Sequence, residues 1–154
     1  MTRVVLLAAI LLGPALDAAA QSYGLADLAT AFEQDVVVIE ASHHACHAFD
    51  VFLARSIEQQ RRGLMHVRSL PETAGMLFVY ADETLRSMWM RNTFIPLDML
   101  FIRADGSVAS IARDTEPLSL KSIASAEPVK FVLELNAGVT AALHIEAGSR
   151  MIPD

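Results

Sequence analysis

Beyond residue 34 the apolar residues of this chain come in runs of five to seven, too short for buried helices, and a turn signal closes each run. DVVVIEA (35–41) is β-branched, and FDVFLA (49–54) puts Phe49, Val51 and Leu53 on one face. MLFVY (76–80) is continuously apolar, as a strand buried on both faces must be. LDMLFI (97–102) and SVASIA (107–112) flank Asp105-Gly106, whose residues tolerate the positive φ of a tight hairpin turn. VKFVLEL (129–135) alternates, with Val129, Phe131, Leu133 and Leu135 inward, and RMI (150–152) reads as a last short strand. Seven or eight such strands predict an all-β fold, a sandwich or barrel.

Two short helices interrupt the strands. Ser56 with Gln59 three residues later is a capping box, and Gly63 ends that helix after about two turns. Asn136 is placed to cap a second helix over 138–143. RSMWMR (86–91) reads as a strand ending at Asn92-Thr93, because Pro96 cannot donate to a ladder and the chain must turn before it. Residues 114–128 form a long loop with two prolines and three serines, of a length that is uncommon unless it covers something.

The N-terminus is not part of this pattern. MTR supplies a cation, VVLLAAILLGPAL an apolar run too short to span a bilayer, and AAA before Gln21 the small residues that a signal peptidase cuts. Residues 1–20 are therefore expected to be a signal peptide cleaved near Ala20, 21–34 a mobile lead in which 25–32 can form a helical turn, and 35–154 one domain. The expected address is periplasmic or secreted, with no membrane insertion after cleavage. Removing 1–20 takes away one cation, Arg3, and one anion, Asp17, so the net charge stays at −6. That balance argues against nucleic acid, whose binders cluster Lys and Arg. Cys46 is the only cysteine, so no intramolecular disulfide supports the fold and packing alone must.

RGLMHVRSLPETAGMLFVY, WMRNTFIPLDMLFIRADGSV, EPLS and VLELNAG, in this order and spacing, resemble the family called domain of unknown function 192, or uncharacterised protein family 0127. The resemblance runs from about residue 49 to 151 and implies a small, β-rich, often exported domain of jelly-roll-like sandwich type with no assigned activity. The chain departs from the family pattern at three places. Phe52 stands where a glutamate is usual, Met88 where a phenylalanine commonly precedes the tryptophan, and His144 and Ser149 where a glycine and an aspartate are common.

Three readings of the polar residues follow. In the first, Trp89, Arg91, Asn92, Thr93, Asp98 and Asn136 lie where the 92–96 turn, the 114–128 loop and the Asn136 turn approach one another. There they either stitch strand ends together or line a recess for a small polar ligand, a saccharide or another envelope component. In the second, HHACH (43–47) and the mid-chain methionines supply copper ligands, with Met88, Met90, His44 and Cys46 the leading set, against a core role for the methionines and a solvated histidine turn. In the third, Asp98 and Glu134 face each other as the carboxylates of a hydrolase, against a solvated Glu134 on the outer side of its strand. No phosphate loop, zinc-protease pair, nucleophile elbow or haem-attachment motif occurs. The expectation is a non-catalytic binding or interaction module without a cofactor.

Overall fold

The structure is a computed structural model that describes residues 24–152; the expected signal peptide lies outside them. Helix α1 (Leu25–Ala31) is followed directly by β1 (Glu33–Glu40). The stretch expected to be a mobile lead is thus folded from Leu25, and the reason is two anchors, Leu28 and Phe32, that are buried in the core. β2 (Cys46–Ala54) returns antiparallel to β1. Helix α2 (Ile57–Arg62) then carries the chain across so that β3 (Ala74–Thr84) lies parallel to β2. The capping box at α2 is formed: Ser56 Oγ accepts from the Gln59 N–H at 3.1 Å, and Gln59 Oε1 accepts from the Ser56 N–H at 3.0 Å. Gly63, at φ +49°, ends the helix.

The remaining elements are β4 (Ser87–Met88), β5 (Leu97–Ile102), β6 (Val108–Ala112), β7 (Ile123–Ala124), β8 (Val129–Asn136), α3 (Val139–Ala142) and β9 (Arg150–Ile152). Seven strands form one sheet in the order β6-β5-β8-β3-β2-β1-β9, and β4 pairs with β7 in a separate ribbon. The two ends of the large sheet nearly meet. Ser107 bridges Arg150, and the Met151 N–H donates to the Gly106 carbonyl at 2.8 Å. Gly106 has φ +85°, and a Cβ there would collide with the Met151 carbonyl, so the Asp105-Gly106 turn also permits this closure. The all-β class is therefore realised as a nearly closed barrel.

Inside the barrel lies a cluster drawn from every side of the sheet, including Ile39, Phe49, Val51, Leu77, Leu100, Ile102, Leu133 and Leu135. A second cluster lies on the outer face of β2, β3, β5 and β8, where Phe52, Met76, Phe78, Met99, Phe101 and Val132 meet Leu28, Phe32, Leu64, Val67 and Met90. Phe131, Leu133 and Leu135 point inward as expected, but Val129 joins the outer cluster because the β3–β8 pairing shifts register between Val79 and Thr84.

Two local expectations are corrected. Only Ser87–Met88 of the 86–91 segment is strand, because the Thr93 N–H already donates to the Met90 carbonyl and Asn92 takes φ +55°, so the turn starts early. Helix α3 is capped by Gly138, not Asn136. The Asn136 amide instead donates to the Leu70 and Pro71 carbonyls at 2.7 and 3.1 Å, tying the α2–β3 connection to β8. The 114–128 segment, in which Ile123–Ala124 forms β7, lies against the 87–93 segment: the Leu118 N–H donates to the Thr93 carbonyl, and the Met90 N–H to the Ser119 carbonyl.

Asp98 is fully buried and saturated. Its Oδ1 accepts from the Asp114 N–H at 3.0 Å. Its Oδ2 accepts from the Gly138 and Thr140 N–H groups, both at 3.1 Å, and from the Thr140 hydroxyl at 2.6 Å. One carboxylate thereby joins the start of β5, the end of β6 and the first turn of α3. Replacing it by alanine leaves these donors without acceptors in a dry site, so Asp98→Ala should lower the unfolding free energy by about 3–5 kcal/mol. Urea denaturation should show this as a lower midpoint with an unchanged slope.

Candidate functional site

The outer face of the sheet is almost, but not wholly, roofed. The β3–β8 and β5–β8 registers place Glu134 between Met76 and Met99, all three buried on that face. Over it stand the C-terminal end of α2, the 63–65 turn and the 87–93 segment, which leave a pocket of about 240 Å³. Gly63 sits against the Phe78 ring, 3.2 Å from where a Cβ would be, so the α2 turn is as close to the sheet as a glycine allows. Glu134, Phe78 and Tyr80 come from the sheet; Arg61, Arg62 and Met65 come from α2 and the turn after it; Met88, Trp89, Arg91 and Thr93 come from the opposite wall.

Glu134 is only 4% exposed and makes no hydrogen bond or ion pair among the described residues. Burial, the sole cause at work, pushes its carboxyl up to about 8, so at neutral pH it is mostly the neutral acid. Tyr80 is pushed up to about 12, chiefly by burial, against the nearby Arg86 guanidinium. That guanidinium lies 3.9 Å from the Tyr80 ring centroid, and the Tyr80 hydroxyl donates to the Met88 sulfur at 3.5 Å. Trp89 is half exposed, with the Arg91 guanidinium 5.7 Å from its ring centroid. Arg62 lies over Phe32 at 5.4 Å, and Arg61, Arg62 and Arg91 form no ion pair among the described residues.

The sequence-selected residues separate into two groups. Trp89, Arg91 and Thr93 line this pocket. Asn92 forms the turn behind it, where its amide lies 3.9 Å from the Met65 sulfur, while Asp98 and Asn136 are engaged elsewhere in the bonds described above. The paired-carboxylate geometry is overturned by the register. Glu134 pairs with Met99 and Asp98 with Leu135, so the two acids project from opposite faces of the sheet. The expectation that Glu134 is solvated is overturned by its burial. The copper set is divided as well. Met88 lines the pocket and buried Met90 receives the Thr115 hydroxyl at 3.2 Å, whereas His44 pairs with Glu40 and Cys46 is exposed on the β1–β2 hairpin. No group of three or more His, Cys, Asp or Glu among the described residues is arranged to hold a metal.

Sequence reasoning missed Tyr80, Arg61, Arg62 and the part played by Glu134. The signal was present: if MLFVY is buried on both faces, a layer must cover the outer side of its neighbour as well, and the glutamate in VLEL must lie beneath that layer.

A family profile matches residues 37–152. The chain belongs to the domain of unknown function 192 family. The profile is described as uncharacterized ACR. No curated protein matches the chain. Two crystal structures are similar to this domain of unknown function 192 chain. One, from Sinorhizobium meliloti 1021 and described as a suggested transcription regulator, is 38% identical with a TM-score of 0.77, covering 79% of this chain and 94% of that one. The other, a protein of unknown function from Novosphingobium aromaticivorans DSM 12444, is 33% identical with a TM-score of 0.76, covering 79% and 86%.

Glu134 gives stability a pH dependence of definite sign. Its folded-state value of about 8 lies above the ordinary 4.5, so between these values the folded chain holds a proton the unfolded chain has released. This contribution is fully present below 4.5 and is lost as pH rises through about 8. Scanning calorimetry from about pH 5 to about pH 9 should show the melting temperature of the native chain falling relative to Glu134→Gln by more than about 5 °C.

Proposed function

We propose that this protein is an exported, non-catalytic binding module that takes a small polar ligand in the pocket over Glu134. The observation that carries the reading is the carboxyl itself. A buried polar group without a hydrogen-bond partner is destabilising and rare, and an apolar side chain would serve a covered strand better. Glu134 has no protein partner and faces an open pocket, so a ligand there can supply the partner that the fold does not. The single acid and the absence of a second carboxyl across the pocket favour binding over hydrolysis. The net charge of −6 speaks against a nucleic-acid partner, whatever the description of the Sinorhizobium relative suggests.

Trp89 is the only tryptophan of the chain and stands at the pocket wall, so its fluorescence reports occupancy. In a screen of saccharides, sugar acids and envelope fragments, a true ligand should change this emission saturably and raise the melting temperature, since it binds only the folded state. Glu134→Leu should abolish both responses while making the free protein more stable, by about 1–3 kcal/mol. A Glu134→Leu chain that is less stable and still binds would contradict the assignment.

Export rests on the charged start, the short apolar run and the small residues before Gln21. Expressed at full length in a Gram-negative host, the protein should be recovered from the periplasmic fraction with an N-terminus at or near Gln21. Intact Met1 in the cytoplasm would exclude this address.

A further inference from the structure

Resting on that reading of the pocket, we propose that the ligand is a small hydroxylated carboxylic acid of sugar-acid size or below, its carboxylate held by Arg61 and Arg91 at the mouth and a hydroxyl or carbonyl oxygen by Glu134 at the floor.

Charge is the first argument. The chain carries more acids than bases, yet three arginines and one acid line this pocket. The acid is Glu134, mostly neutral at pH 7, so the pocket is cationic on an anionic protein. On an acidic surface an arginine has carboxylates to pair with, and Arg55, Arg86 and Arg103 form such pairs elsewhere among the described residues. Arg61 and Arg91 form none. An exposed guanidinium presents a planar fork of donors that a carboxylate fills with two parallel bonds.

The second argument separates carboxylate from phosphate. Phosphate sites draw on backbone N–H groups at a helix N-terminus or in a glycine-rich nest. Here α2 lines the pocket along its length, from Ile57 through Gln60 to Arg61 and Arg62, and closes on it with Gly63 at the end where the helix dipole is negative. That end disfavours any anion in proportion to its charge, so it weighs about twice as much against a dianion as against a singly charged carboxylate held by side chains at the rim. Third, a volume of about 240 Å³ lies below the roughly 300–1,000 Å³ of pockets for drug-sized ligands. Lastly, the Glu134 acid offers one O–H donor and an acceptor oxygen and has no protein partner for either, which suits a hydroxyl or carbonyl group on the same ligand.

Glu134 is faced by Tyr80 from β3, by Arg61 and Arg62 from α2 and by Arg91 from the opposite wall, with Arg86 stacked on Tyr80. Of these only Glu134 changes charge between about pH 6 and pH 9. Ionised, it would repel the ligand carboxylate, so affinity falls as pH rises through about 8.

Isothermal titration calorimetry of the full mature chain tests the proposal with lactate, glycerate, gluconate and glucuronate as the carboxylate arm, glucose as the neutral arm and glucose 6-phosphate as the phosphate arm. At least one carboxylate should bind about tenfold or more tightly than both other arms. Arg61→Gln and Arg91→Gln, which alter exposed side chains, should each weaken that carboxylate about tenfold and leave glucose unchanged. Glu134→Gln should remove the loss of affinity between about pH 6 and pH 9. If glucose or glucose 6-phosphate binds as tightly as every carboxylate, or the arginine variants bind like the native chain, the anion assignment is overturned while the pocket remains a binding site. Absence of any Trp89 response throughout the wider polar screen would overturn the binding module along with it.

Discussion

The central strands of this domain are apolar on both faces, and most of its architecture answers that constraint. β3, β5 and β8 place Leu77, Leu100 and Leu133 into the barrel and Met76, Met99 and Val132 on its outside. The inner set is buried when the sheet curls until β9 meets the start of β6. The outer set has no second sheet to pack on. It is covered instead by α1, by the α2–β3 connection and by the segments 87–96 and 114–124, which contribute Leu28, Phe32, Leu64, Val67, Met90 and half-buried Ile123. Covering a strongly twisted sheet with loops rather than with another sheet leaves an imperfect fit, and the pocket over Glu134 is where the cover stays open.

What the sequence made legible follows the same division. Elements whose signal is local came through: the Asp105-Gly106 turn, the Ser56–Gln59 cap and the strand periodicity are each set by neighbouring residues. Elements decided by distant contacts did not. Residues 86–91 have the composition of a long strand, but Ser87 and Met88 pair only with the short β7 before the turn begins, and no periodicity could show that the partner is two residues long. Residues 25–32 read as either a helical turn or a mobile lead; helix Leu25–Ala31 is held by burial of Leu28 and Phe32, not by propensity. The family resemblance recovered the class of fold and the family itself, but a family without an assigned activity brings no site residues with it.

The site was partly legible for a related reason. Trp89, Arg91 and Thr93 were singled out because polar residues interrupt an apolar word, and that anomaly has a local origin in the turn at Asn92. Arg61, Arg62 and Tyr80 sit in segments where such residues are ordinary, and only the crossover that lays α2 beside β3 makes them neighbours. Glu134 was misjudged because alternation says which side of a strand a residue takes and not whether that side is wet.

Two buried carboxyls, one strand apart and on opposite faces, show how environment decides what an acid does. Asp98 is surrounded by four donors, three of them main-chain N–H groups, and each bond fixes a segment whose own partners have run out. Its hydrogen-bonding capacity is taken up by the fold, and nothing is left for a ligand. Glu134 is nearly as deeply covered but lies between methionine side chains and makes no hydrogen bond or ion pair among the described residues, so the same chemical group responds by holding its proton. For stability alone an apolar residue would suit the Glu134 position better, as Val132 on the same face of β8 illustrates, whereas replacing Asp98 would free the ends of β5, β6 and α3. The saturated acid therefore marks the frame, and the bare one marks the place where the frame is open to chemistry from outside.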